Sequence, residues 1–361
     1  MPVRRIAEAI GAALFIVGLV AGPAGAHSAG NTPASNYVSR VTAIAPPTEA
    51  FAAKTIEAGS RIEITWGTGP DIVILDYEGF DYLRLGADGV FENTQSRAVY
   101  VNANRQGSAP IPEGLRPEGP PTWRKISNGR VARFHDHRVH YMGAEPPPQV
   151  RQSRHRTHLV QDFSIDVRRA GVVHQVLGSV RWIPGPSPVP ALGFGALAGV
   201  LSTAAIVLAS RRKRFGMALG GFCVLLGALV SVDVVHLLGI AFGVRGGSGW
   251  GRTLSIGWAS VAAWIISVAC IAALQRRRLD ALYVAVFAAG VMTLVGGFTD
   301  VSVLSASSVP FAFSNLIARA TVALTLALGV ATIVSGVVLT GNASARSAFD
   351  ANAGGADAKN S

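Results

Sequence analysis

After the proline-rich segment "WIPGPSPVP" (residues 182–190) come five apolar stretches, over residues 188–209, 215–240, 255–274, 279–297 and 309–339. Each is long enough as a helix to cross a hydrocarbon core of about 30 Å. A chain built this way must satisfy its backbone polar groups inside lipid, and a run of such length does so only as a helix. Overall, 50% of the residues are hydrophobic and 15% charged, so membrane-spanning and water-facing parts coexist in one chain.

Charge placement orients the spans. The 32 Lys and Arg exceed the 21 Asp and Glu, giving a formal +11. Arg211-Arg212-Lys213-Arg214 and Arg276-Arg277-Arg278 border apolar runs, as cytoplasmic loops do under the positive-inside rule. The excess therefore points to a lipid bilayer as partner and away from nucleic acid. Residues 1–26 have the make-up of a secretory signal: Arg4-Arg5, an apolar core, then Ala24-Gly25-Ala26 as a small-x-small cleavage site. With that signal removed, residues 27–184 lie outside, both arginine clusters are cytoplasmic, and a small, polar tail at 341–361 is disordered in the cytoplasm. Cys223 and Cys270 both fall in spans, so no disulfide framework holds the exported part.

Between residues 37 and 182 the pattern is that of short strands. "RIEITW" at 61–66 alternates, "DIVILDYEG" at 71–79 is more continuously apolar, and Asp88-Gly89 marks a hairpin. Further strands are expected at 98–102, 130–142, 159–167 and 172–182, separated by Pro-Gly loops. The expected fold class is an exported all-β domain, an antiparallel β-sandwich over 27–184, followed by a five-helix transmembrane domain over 185–340. The protein then resides in the plasma membrane as a multi-pass chain.

"RFHDHRVHYM" at 133–142 concentrates histidine in a chain with only 8. On a strand, residues two apart share a face, so His135 and His137 point the same way and suit a metal such as Cu, Zn or Ni. Strict alternation puts His140 and Met142 on the opposite face, and His140 joins the pair only if a bulge or the strand's end intervenes. Met142 is a soft donor that favours copper if it takes part. The other reading is a hydrogen-bonded polar surface on which Asp136 and Arg138 orient imidazoles that bind nothing. Cleavage after Ala26 would make His27 a second donor group, imidazole plus free α-amine, similar to the amino-terminal histidine chelate of secreted copper-binding β-sandwich proteins. His155 and His158 sit in an arginine-rich loop that would repel a cation and read as solvated, and His174 stands alone in a strand and reads as structural.

Within the membrane, Asp233 and His236 are three apart and share a helix face. By rise per residue Asp233 is about 10 Å and Arg319 about 12 Å below the outer ends of their spans. The expectation is an Asp233–Arg319 ion pair in the bundle, with His236 as a neighbouring proton or metal contact. The loop "GVRGGSGWGR" lacks the Lys-Ser/Thr ending of a phosphate loop and reads as a flexible turn between spans. No HExxH and no motif-supported Ser, His, Asp set occurs, which argues against an enzyme.

The segments "ILDYEGFDYLRLGADGVFEN", "FHDHRVHYM", "PPPQV" and "VRWIPGPSP", with "VDVVHLLG", "SSVPFAF" and "ARATVALTLALG", resemble a family of actinobacterial membrane proteins in which an exported β domain precedes a compact helical domain. The resemblance implies a copper ion and other envelope copper-handling proteins as partners, because family members occur beside copper-resistance proteins. Tryptophan stands in that pattern where Phe134 and Tyr141 stand here, which alters ring packing and leaves the imidazoles intact. "VVHLLG" also has a short likeness to the copper-resistance D membrane family. The resemblance carries over no catalytic residue. The sequence thus favours a membrane-anchored extracytoplasmic module that binds or transfers copper through His135, His137, His140, Met142 and His27, over an envelope anchoring protein without metal.

Overall fold

The computed structural model describes residues 34–103 and 107–342, so the signal segment, His27 and nearly all of the tail lie outside the described residues. The chain divides into a β unit, which spans residues 34–185 and takes in 306–310, and a helical unit made from the remainder.

The β unit is wholly antiparallel. Strands β1 (Tyr37–Ala45), β4 (Ile72–Leu75), β5 (Asp81–Gly86), β6 (Gly89–Asn93), β7 (Trp123–Ser127), β9 (His158–Arg169) and β10 (Val172–Trp182) form one sheet in the order β1-β10-β9-β4-β5-β6-β7. Strands β2 (Phe51–Ile56), β3 (Arg61–Trp66) and β8 (Val131–His135) form a second, in the order β2-β3-β8. Alternation explains the core. Ile62, Ile64 and Trp66 of β3 and Ile72 and Ile74 of β4 join Ile165, Val167, Val176 and Val180 in a single buried cluster that draws on both sheets. The hairpin falls where Asp88-Gly89 marks it, with Gly89 at φ +124° and paired to Gly86.

Two local expectations are corrected. Residues 98–102 are not a strand: Ala98–Val101 is a one-turn helix, α1, whose first amide donates to Ser96 Oγ, itself donating to the buried Asp76 carboxylate. A local side-chain cap outcompetes β propensity there. The strand expected over 130–142 ends at His135, and residues His137–Val139 form a 3-10 turn. The short helix α2 (Pro148–Gln152) then starts on a proline, which fits a first turn.

In the helical unit, α3 (Val189–Arg211), α4 (Phe215–Gly243), α6 (Trp258–Gln275), the stretch from α7 (Ala281–Met292) through Phe298, and α8 (Asn315–Gly341) are each long and apolar enough to cross a membrane. Gly195 and Gly199 let α3 approach the backbone of α8 at Ala323 and Ala327, the small-residue contact that replaces hydrophobic driving force in lipid. The expected turn is irregular over residues 244–248 and runs into a short helix, α5 (Gly249–Ile256), capped by Ser248. Its Arg252 donates to the carbonyls of Ala241, Val244 and Gly246 and so ties off the end of α4. Beyond α7 the helix widens into one π-turn (Thr293–Phe298) and then a 3-10 segment (Val301–Ser305).

Candidate metal centre

β8 delivers His135 as its last residue, opposite Arg61 of β3. Asp136 is extended (φ −147°, ψ 124°), and its carboxylate accepts from the Arg138 amide, which caps the following turn. A 3-10 turn has three residues per turn, so side chains at i and i+3 eclipse. His140 is therefore carried back to the side of His137, while His135 and His137 already share a side by strand alternation. The strand's end supplies the break in alternation that His140 requires.

The three imidazoles meet at short range. Ring centroids are 4.6 Å apart for His135 and His140, 4.9 Å for His135 and His137, and 5.6 Å for His137 and His140. One ring nitrogen from each lies within 4.8 Å of the others, and His135 Nε2 is 2.8 Å from His140 Nε2. At that separation one of the two must donate to the other, so a proton lies between them. His140 is buried and the other two are half-buried, which leaves the cluster reachable from solvent on one side.

A support layer fixes the turn. Arg138 holds the fully buried Asp136 carboxylate through Nε at 2.9 Å and Nη2 at 2.8 Å, in the two-pronged geometry of strong charge-assisted bonds. Burial acts to lower the Arg138 guanidinium pKa, and the bond and charge of Asp136 outweigh it, so the net direction is up. The same guanidinium reaches the carbonyls of Leu75 and Asp76 and stacks 4.7 Å over the Tyr77 ring. Tyr77 donates to Asn102 Oδ1 at 2.5 Å and accepts from the His137 amide at 3.1 Å. Its phenol is pushed up to about 12, first by burial and then by the charge of Asp136. Gln161 of β9 donates to the carbonyls of Arg138 and His140. Gly107, at φ +66°, lies so close to the His137 ring that a Cβ would sit 2.8 Å from its Cε1.

The other candidates fall elsewhere. Met142 is 47% exposed, three residues past the turn. His155 approaches Ser153 Oγ, His158 bonds the Ser153 carbonyl at 2.7 Å, and His174 bonds the Pro46 carbonyl at 2.8 Å beside Phe51. In the helical unit Asp233 accepts from Trp264 Nε1 at 2.7 Å, and no ion pair joins it to Arg319 among the described residues. The reason is angular: Thr321 faces His236, and Arg319, two residues earlier on α8, is about 200° around the helix from it. The acidic partner of His236 is Asp300, at 2.9 Å. Sequence reasoning missed Tyr77, Asn102, Gly107 and Asp300; the "DYEG" turn and the glycine before a proline-rich loop were the signals on offer for the first and third.

No protein-family model, curated protein or solved structure matches this chain.

Proposed function

We propose that this protein is a membrane-anchored metal-binding module, with copper as its ion, whose β unit is an exported β-sandwich held at the plasma membrane by five spans. The observation that carries this reading is the convergence of His135, His137 and His140 on one turn. Imidazole suits Cu, Zn and Ni, and among these the divalent series favours Cu(II). The Asp136–Arg138–Tyr77 layer fits the group of residues that orient ligands in metal proteins. The resemblance to a family that accompanies copper-resistance proteins points the same way, and other envelope copper-handling proteins are then its partners. It binds or passes on the ion and catalyses nothing.

Titration of the full chain in detergent with Cu(II), Cu(I) and Zn(II) tests the proposal. Submicromolar Cu(II) binding that disappears in a His135→Ala/His137→Ala double variant is expected. Equal weak binding by both forms would discard the copper module. That result would favour a second reading, docking of an acidic envelope partner on the exposed loop of Arg151, Arg154 and Arg156.

A further inference from the structure

Asp233 and His236 lie one turn apart on α4, 0% and 2% exposed. An ionisable pair at such depth in an apolar bundle is costly, and such pairs mark proton or ion sites more often than packing. Asp233 Oδ2 accepts from Trp264, but Oδ1 has no hydrogen-bond partner among the described residues. That oxygen lies against Gly296, in the π-turn, where any Cβ would overlap it. The helix is thus opened, and its side chain deleted, at the point where the carboxylate oxygen enters; π-turns inside helices recur at functional sites.

His236 lies between two partners. Its Nδ1 faces Thr321 Oγ1 at 3.1 Å, a hydroxyl that also lies 2.9 Å from the Ala318 carbonyl, and its Nε2 faces Asp300 Oδ2 at 2.9 Å, with the Phe311 ring 6.0 Å away. An ionised carboxylate can only accept, so Nε2 is the donor of that bond. The surrounding charges are few. On α8, Arg319 lies about 200° from the Thr321 face. On α5, Arg252 is spent on the carbonyls at the end of α4. From α6 comes the neutral Trp264, and the only titratable side chain on α7, Tyr283, is 43% exposed. Two carboxylates, Asp233 and Asp300, then accompany one imidazole, and of the two it is Asp233 that keeps an oxygen, Oδ1, without a hydrogen-bond partner among the described residues.

We propose that Asp233, His236 and Asp300 form a proton-binding site in the helical bundle, in which Asp233 takes one proton on Oδ1. An O–H bond forms on Asp233 Oδ1 as one O–H bond of a hydronium ion breaks and leaves water, and the array loses one negative charge. Asp300, 16% exposed at its side chain against 2% for His236, is the most exposed of the three groups. The bundle is then a pH-responsive element and not a passive anchor, and this holds whether or not the β unit binds copper.

The test is infrared difference spectroscopy on the full chain in phosphatidylcholine vesicles, alkaline against acidic buffer. A band from one buried protonated carboxyl is expected in acid, absent from Asp233→Asn and present again in Asp233→Glu. Trp264→Phe removes a hydrogen bond that favours the carboxylate, and should raise the midpoint of the band by about one pH unit without deleting any carboxyl. The proposal falls if Asp233→Asn keeps the full band while circular dichroism shows an intact bundle. It falls equally if sodium at fixed pH abolishes the band, because the ligand is then a metal cation, or if Trp264→Phe leaves the midpoint unchanged.

Discussion

The protein holds buried histidine in two settings that use the ring in opposite ways. In the β unit, His135, His137 and His140 turn ring nitrogens toward one another, with Nε2 of the first and third 2.8 Å apart. In the helical unit both nitrogens of His236 are spent on Asp300 and Thr321. What separates a ligand cluster from a charged structural pair is therefore the direction of the nitrogens and the chemistry of their neighbours, not the burial of the ring. A ring whose two nitrogens are both engaged by carboxylate and hydroxyl oxygens has none to spare for a metal, whereas rings facing other rings share a proton that a metal can displace.

Removing the ligands should break this contrast most completely. A His135→Ala/His137→Ala/His140→Ala variant should lose Cu(II) affinity by more than about a hundredfold, the upper end of what loss of a mere supporting residue costs. Isothermal titration of the full chain reads this directly. Asp136→Asn comes next. It keeps a capping oxygen but leaves the Arg138 charge without its buried partner, and should cost the β unit about 3 kcal/mol in denaturant unfolding. Metal affinity should fall by about ten- to a hundredfold alongside. The matching change in the other region, Asp300→Asn, should leave copper binding untouched while lowering the thermal midpoint of the helical signal; a change in copper affinity would erase the distinction between the two histidine settings. Gly107→Ala brings a Cβ against the His137 ring and forces a positive φ on alanine, so affinity should drop by about tenfold, near the lower limit for a supporting residue. The smallest effect concerns Tyr77. Its folded pKa, about 12, exceeds the ordinary value of 10.0, so the stability it contributes is complete below pH 10.0 and is lost as pH rises through about 12. Tyr77→Phe should flatten that stretch of the stability curve and delete one late step from an ultraviolet tyrosine titration.

Much of this was legible before any coordinates. The five spans follow from uninterrupted apolar length, a signal that neighbours cannot overrule because lipid leaves the backbone no other choice. Strand β3 follows from alternation, β9 and β10 from β-rich runs bounded by loops, and the β5–β6 hairpin from Asp88-Gly89. The segment 98–102 was misread because Ser96, which accepts from the Ala98 amide, is itself held by Asp76, 20 residues away along the chain. The Asp233–Arg319 pair was misread because equal depth says nothing about angle around a helix.

Sequence alone determined that an antiparallel β region precedes five apolar helices and that three histidines crowd into residues 135–140. Periodicity and length are one-dimensional properties, and these conclusions need nothing else. Tertiary structure alone decided that the β8 strand stops at His135, so that a 3-10 turn brings His140 round to His135 and His137, and that Asp233 meets Trp264 rather than Arg319 while Asp300 faces the bundle's buried histidine. Both depend on partners far away along the chain: Tyr77, Asn102 and Gln161 for the turn, and the π-turn and α8 for His236. Contacts between residues so distant in sequence are chosen by packing, which no local pattern encodes.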